Sequence, residues 1–268
     1  MTDFLDSDIR FIAQTVDPRL SFKIDILRGD SAFVESILDQ ESAKLFNRIM
    51  LNEKVMTTIS PRLLFEILLR RAAVELKNQN YTMERTSRQA IPVFDAYEVS
   101  IFLQDKSVRR YLIDLLCSFT KVHSFTIRSR IRKGVWRRIR FSDMDIDSLV
   151  RLSQSADEKH RFGFYKRIAD LCLFILGMFP EHVGIGGIYP VSSEVSVQYP
   201  QRFRRSSEDY EREGRLFYHM AARHQDAEML GLTEVLLQLH DRFSLARKPL
   251  NYISDNYLKF SKGKLFPH

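Results

Sequence analysis

Apolar residues recur at helical spacing through most of this chain. The clearest run is ISPRLLFEILLRRAAVELKNQN, residues 59–80. Ser60 suits its N-cap, and Pro61 suits the first helical position, where a missing N–H costs nothing. Arg62, Glu66, Arg70 and Lys77 form its one polar stripe, which predicts a buried helix with a single wet edge. In SVRRYLIDLLCSFT, from Ser107, the residues Val108, Tyr111, Leu112, Leu115 and Phe119 share a face. A stronger helix is expected over 158–179, turning Phe164, Ile168, Leu171, Cys172, Ile175 and Phe179 inward.

The first fifty residues predict short helices, one of them capped by Asp30. Others are expected to start near Phe94, at Ser142 with Asp145 as a capping box, and after Ser206 with Asp209 as another. Two helices over 207–225 and 227–245 then close the chain, with a short last one after Pro249. Residues 80–93 read as a polar connection. Residues 181–206, rich in glycine and proline and containing the strand-like run SEVSVQY, read as a long irregular insert.

One stretch departs from the helical rule: SFTIRSRIRKGVWRRIRFSD, residues 124–143. Folded as a hairpin with the three-residue loop Arg132-Lys133-Gly134, it opposes Ile131 to Val135, Ser129 to Arg137, Ile127 to Ile139 and Phe125 to Phe141. Thr126, Arg128, Arg130, Trp136, Arg138 and Arg140 then gather on the other face. A two-residue loop, Lys133-Gly134, sets Ile127 opposite Arg140 and loses that separation. A helix would also align Ile127, Ile131, Val135 and Ile139, but Gly134 in its middle costs about 1 kcal/mol. The β-branched and aromatic content favours the hairpin.

The expected fold is therefore mainly all-α, a multi-helix bundle with one short arginine-rich β-hairpin insert. It is read as a single helical domain over 1–268, divisible into helices of 1–121, the basic hairpin of 122–143 and helices of 144–268. Composition agrees, since 20 phenylalanines against 10 glycines and 8 prolines suit a bulky helical interior better than a turn-rich barrel. The longest uncharged apolar stretch, in ADLCLFILGMFP, falls short of the ~20 residues that span a bilayer. The acidic opening MTDFLDSDIR lacks the basic and apolar regions of a signal peptide. Two cysteines, Cys117 and Cys172, each inside an apolar helical run, fit buried free thiols in a reducing compartment. No membrane association is expected, and the location expected is cytoplasmic.

Charge sharpens the picture. The net charge is +7, yet residues 1–50 hold nine acids against six basic residues. Lys121 to Arg140 hold eight Lys or Arg and no acid, so the basic character is local. Arginine presents a planar fork of donors that matches phosphate, and a tryptophan can stack on a base. Arg128, Arg130, Arg132, Lys133, Trp136, Arg138 and Arg140 are therefore the candidate polyanion-binding set, with Arg202, Arg204 and Arg205 a secondary cluster. The competing view is that these arginines guard an edge, or pair with the acids of SDMDID or of the N-terminal region.

Other motifs fail on inspection. Asp143, Asp145 and Asp147 begin like a calcium loop, but Ser148 stands where glycine is needed and Gln154 where glutamate is needed. GIGGIY at Gly184 ends in Tyr189 and follows a helix, unlike a dinucleotide-binding turn. His219 and His224 are five apart, too far round a helix to share a metal, and His240 beside Asp241 is not thereby a dyad. No catalytic residue, metal or cofactor is assigned. The leading expectation is a non-enzymatic protein that binds nucleic acid or another polyanion. A helical adaptor or assembly subunit holding an acidic or other protein partner comes second, and an enzyme third.

Overall fold

The computed structural model describes residues 4–17, 19, 24–85, 90–121, 124–132, 135–183 and 205–266, the arginine-rich ribbon by its backbone pairing. Two apolar helices organise it. The first, α6 (Pro61–Lys77), follows α1 (Asp6–Val16), α2 (Ile24–Gly29), α3 (Ser31–Gln40), α4 (Ser42–Met50) and α5 (Glu53–Thr58). The second, α10 (Glu158–Met178), buries nearly every residue from Ile168 onward. Between them lie the β1–β2 ribbon (Thr82–Arg85, Ala90–Val93), α7 (Ala96–Gln104), α8 (Lys106–Ser118), the β3–β4 ribbon (Ser124–Arg132, Val135–Ser142) and α9 (Ile146–Ser155). After α10 come a 3₁₀ turn (Pro180–His182), α11 (Ser207–Ala222), α12 (Gln225–Met229), α13 (Thr233–Asp241), α14 (Phe243–Asn256) and α15 (Lys262–Leu265). The mainly helical class expected from the pattern is what the chain adopts.

Local chemistry sets many of the boundaries. The Ser60 hydroxyl accepts from Leu63 N at 3.1 Å ahead of Pro61, and Asp30 accepts from Phe33 N at 2.9 Å. Ser206 and Asp209 cap α11 reciprocally, at 3.1 and 3.0 Å. The α9 cap is Asp145 and not Ser142, because Ser142 is spent as the last rung of β4, opposite Ser124. Residues 227–245 do not form one helix. Gly231, at φ 65°, turns the chain between α12 and α13. The last helix does not wait for Pro249: α14 runs through it.

The reason is packing. Phe243, Ala246, Leu250 and Ile253 line one buried face of α14, which lies against α10. Gly177 on α10 lets Leu250 approach so closely that an added Cβ would sit 2.6 Å from the leucine Cβ. Asn251 Nδ2 then donates to the carbonyls of Leu176 and Gly177, both at 2.8 Å. One lost backbone hydrogen bond at Pro249 is outweighed by that burial. The terminal Phe266 closes the core between α6 and α10, 5.8 Å from Phe65 and 5.0 Å from Phe174 between ring centroids.

The polar stripe of α6 is not the wet edge its sequence suggests. Arg70 is 4% exposed and bonds Asp39 at 2.6 Å, Glu66 at 3.0 Å, and Glu35. The helix α3 supplies two of those carboxylates at Arg70, while Lys77, at the helix end, stays exposed. Further along, Glu75 accepts from Tyr252 at 2.8 Å, Tyr257 at 2.5 Å and Arg71 Nε at 2.6 Å. Burial alone would raise the Glu75 carboxyl, but the hydroxyls of Tyr257 and Tyr252 and the Arg71 charge hold it below the ordinary 4.5. A lowered folded value stabilises the fold above that pH, and the gain fades as pH falls through the folded value. Glu75→Gln is therefore expected to lose about 1–2 kcal/mol at neutral pH. In urea titrations its deficit against wild type should close as the pH drops below 4.5.

A candidate polyanion interface

The β3–β4 ribbon is antiparallel and leaves only residues 133 and 134 between its strands. Ser129 pairs with Arg137, Ile127 with Ile139 and Phe125 with Phe141, as the pattern requires. The turn differs from expectation. Arg132, not Ile131, pairs with Val135, and the register shifts between Arg130 and Arg132. Ile131 is thus the extra residue of a bulge. The bulge absorbs the one-residue slip that a two-residue turn would otherwise impose. Ile127 therefore stays opposite Ile139 with no three-residue loop.

The consequence is a ladder of basic positions. Thr126 stands opposite Arg140, Arg128 opposite Arg138, and Arg130 opposite Trp136. These are alternate rungs, and alternate rungs of a pleated ribbon belong to one face. Arg132 ends β3, while Lys133, Arg202 and Arg204 lie outside the described residues.

One side chain links the end of α8 to the residue that follows β4. Arg167 on α10 donates to Ser118 Oγ at 2.8 Å, at the end of α8, and to Asp143 Oδ2 at 2.8 Å, just after β4. Its guanidinium lies over the Phe119 ring, 3.7 Å from the centroid. Burial pushes Arg167 below the ordinary arginine value, with Asp143 and Asp170 opposing.

The neighbouring acids each have a partner outside the ribbon. Asp143 binds Arg167, and Asp145 caps α9 through Asp147 N, at 3.2 Å, and the Ser148 hydroxyl. Asp147 takes both terminal nitrogens of Arg205, at 2.6 and 3.2 Å, and Arg205 Nε reaches Glu213 at 2.9 Å. Burial works against the Arg205 charge, but Asp147 and Glu213 outweigh it and raise its pKa. Arg205 thus ties the start of α11 to the helix that follows the ribbon. Acids of the N-terminal region are likewise engaged, Asp6 with Arg28, and Glu35 and Asp39 with Arg70.

Two polar assemblies escaped sequence reading because their members come from separate helices. Asp170, on α10, accepts from Tyr111 of α8 at 2.7 Å and Tyr218 of α11 at 2.9 Å through one oxygen. Its other oxygen takes Lys166 Nζ at 2.6 Å. Burial, and then Asp170, pushes both tyrosines well above their ordinary value, so they remain hydrogen-bond donors. His219 and His240, on α11 and α13, bring their rings to 4.9 Å, and His240 Nδ1 meets the Arg215 carbonyl at 2.8 Å. Helical spacing within one segment signals neither pairing.

The thiols are poor nucleophiles. Burial pushes Cys117 up to about 12 and Cys172 higher still. Among the described residues no group of three or more His, Cys, Asp or Glu could hold a metal ion, and no helix is long and apolar enough to cross a membrane. Comparison of the chain with protein-family models, with curated proteins and with solved structures finds no match.

Proposed function

We propose that this protein binds nucleic acid or another extended polyanion along the β3–β4 ribbon, by charge and with little reading of base identity. The observation that carries the proposal is the register, which sets Arg128 against Arg138 between rungs that hold Arg140, Arg130 and Trp136. Two further facts support it. Each aspartate beside the ribbon has a partner outside it, in Arg167, Arg205 or a helix cap. Arg167 also holds Asp143, next to the end of β4, to the end of α8, which limits the ordering left to a ligand at that strand.

The test is fluorescence anisotropy with labelled single- and double-stranded DNA and RNA, and with heparin, across a salt series. The comparison protein carries Arg128, Arg130, Arg138 and Arg140 changed to glutamine. Wild type is expected to bind with log affinity falling linearly in log salt, and the variant to lose up to roughly three to four units of slope, at about 0.7 to 0.9 per phosphate contact. Trp136 is the only tryptophan, so its emission reports stacking directly. Failure of wild type to bind all five ligands at about 50 mM salt would overturn the proposal.

A further inference from the structure

The register of the β3–β4 ribbon divides it into two unlike halves. The half next to the helices carries the rungs Ser124–Ser142, Phe125–Phe141, Thr126–Arg140 and Ile127–Ile139, with Arg140 its one basic position. Beyond them every rung is basic: Arg128–Arg138, Ser129–Arg137, Arg130–Trp136 and Arg132–Val135. No acid occurs between Ser124 and Ser142. The strands join the body at their other ends, where β3 follows α8 and β4 leads into α9 and packs against it. The basic half is therefore the tip.

That tip is basic on both faces. Arg128, Arg138 and Arg130 share one face, as members of alternate rungs. Arg137 belongs to the other. The bulge at Ile131 places Arg132 there too, because it pairs Arg132 with Val135, the next position of that face on β4. A single nucleic-acid strand laid along the ribbon follows one face, whereas a duplex groove presents two walls of phosphate. Two strands about 4.8 Å apart form a ribbon that the ~12 Å major groove of B-form DNA admits and the ~6 Å minor groove does not. The four basic rungs span roughly 10 Å at ~3.4 Å per residue, against a groove about 8.5 Å deep. The major groove of duplex RNA is too narrow for such an insertion.

We propose that the tip of the β3–β4 ribbon enters the major groove of duplex DNA, Arg128, Arg130 and Arg138 meeting the phosphates of one wall and Arg132 and Arg137 those of the other. This mode rests on the polyanion reading above and narrows its ligand to one class, B-form duplex. Phosphate contacts on two walls position the ribbon without reading base identity. Arg140, in the half next to the helices, contributes less than the arginines of the tip. The position that separates groove entry from one-faced binding is Arg137, which lies across the ribbon from the Arg128–Arg138 ladder.

The experiment is anisotropy of the full chain with labelled duplex DNA, single-stranded DNA and duplex RNA of equal length, across a salt series. Wild type is compared with Arg137→Gln, Arg138→Gln and Arg137→Lys. Near 0.1 M salt wild type is expected to bind duplex DNA roughly tenfold tighter than the other two, about the worth of one added phosphate contact. Arg137→Gln and Arg138→Gln, on opposite faces, are each expected to lower the duplex slope by about 0.9. Arg137→Lys keeps the charge and is expected to keep the slope, which ties the loss to charge and not to a disturbed ribbon. Methyl green, a major-groove ligand, should displace the protein, and netropsin, a minor-groove ligand, should not. A wild-type slope for Arg137→Gln sinks groove entry, as does equal or tighter binding of single-stranded DNA or duplex RNA, or displacement by netropsin. Each of those results leaves one-faced polyanion binding standing. Wild type that binds heparin but no nucleic acid also overturns groove entry alone, and wild type that binds nothing overturns both readings.

Discussion

Asp170→Ala is expected to lower the unfolding free energy by about 3–5 kcal/mol, the scale for breaking a buried charged network from one side. Asp170 is 2% exposed and joins three elements: Tyr111 of α8, Tyr218 of α11 and Lys166 on its own helix. Removing the carboxylate strands two phenolic hydroxyls in the core, each needing an acceptor that burial denies it. Lys166, nearer the rim, can turn to water. Asp170→Asn keeps an oxygen for both hydroxyls and loses only the ion pair, so about 1–2 kcal/mol is expected. Urea unfolding of the three proteins at neutral pH checks the order. Equal losses for alanine and asparagine would mean that the hydroxyls do not depend on Asp170.

The parts of this fold that were legible are those decided within one segment. Ser60–Pro61, Asp30 and Ser206–Asp209 act through backbone groups three residues away, so their chemistry is local and their helices begin where the letters say. The β3–β4 register was legible too, because only one alignment sets Ile127 against Ile139 and Phe125 against Phe141. Its bulge was not. A bulge and a longer turn shift the pairing by the same residue, and the apolar pattern cannot tell them apart.

What tertiary contact decides was illegible. β1 looks like part of a polar connection because Thr82 and Glu84 bind Asp95 and Arg247, which lie outside the ribbon, Arg247 far along the chain. Pro249 looks like a boundary until Gly177 and Leu250 are seen in contact. The candidate site divides the same way. Its ladder follows from local alternation, whereas the pairing of Asp143 and Asp147 with Arg167 and Arg205 depends on α10 packing against α9 and α11.

Arg70→Leu carries the other large effect, about 3–5 kcal/mol at neutral pH, and its pH dependence identifies the cause. Arg70 neutralises Glu35, Asp39 and Glu66, of which only Glu66 is itself buried. Without Arg70, the exposed pair regain water, while Glu66 keeps Arg109, at 3.6 Å, and the weaker influence of Arg62. Burial already raises the Glu66 carboxyl above its ordinary 4.5, with Arg70 the foremost opposing charge, so the substitution raises it further. For a group raised in the folded state, stability is complete below the unfolded value and is lost as pH climbs through the folded one. The deficit of Arg70→Leu against wild type is therefore expected to be larger at about pH 8 than at about pH 5. Adding Glu66→Gln removes the stranded charge and leaves Arg109 an acceptor. The double variant should thus recover part of the loss at the higher pH and show little pH dependence of its own. Deficits that match at both pH values would show that Arg70 acts through the packing of its stem and not through Glu66.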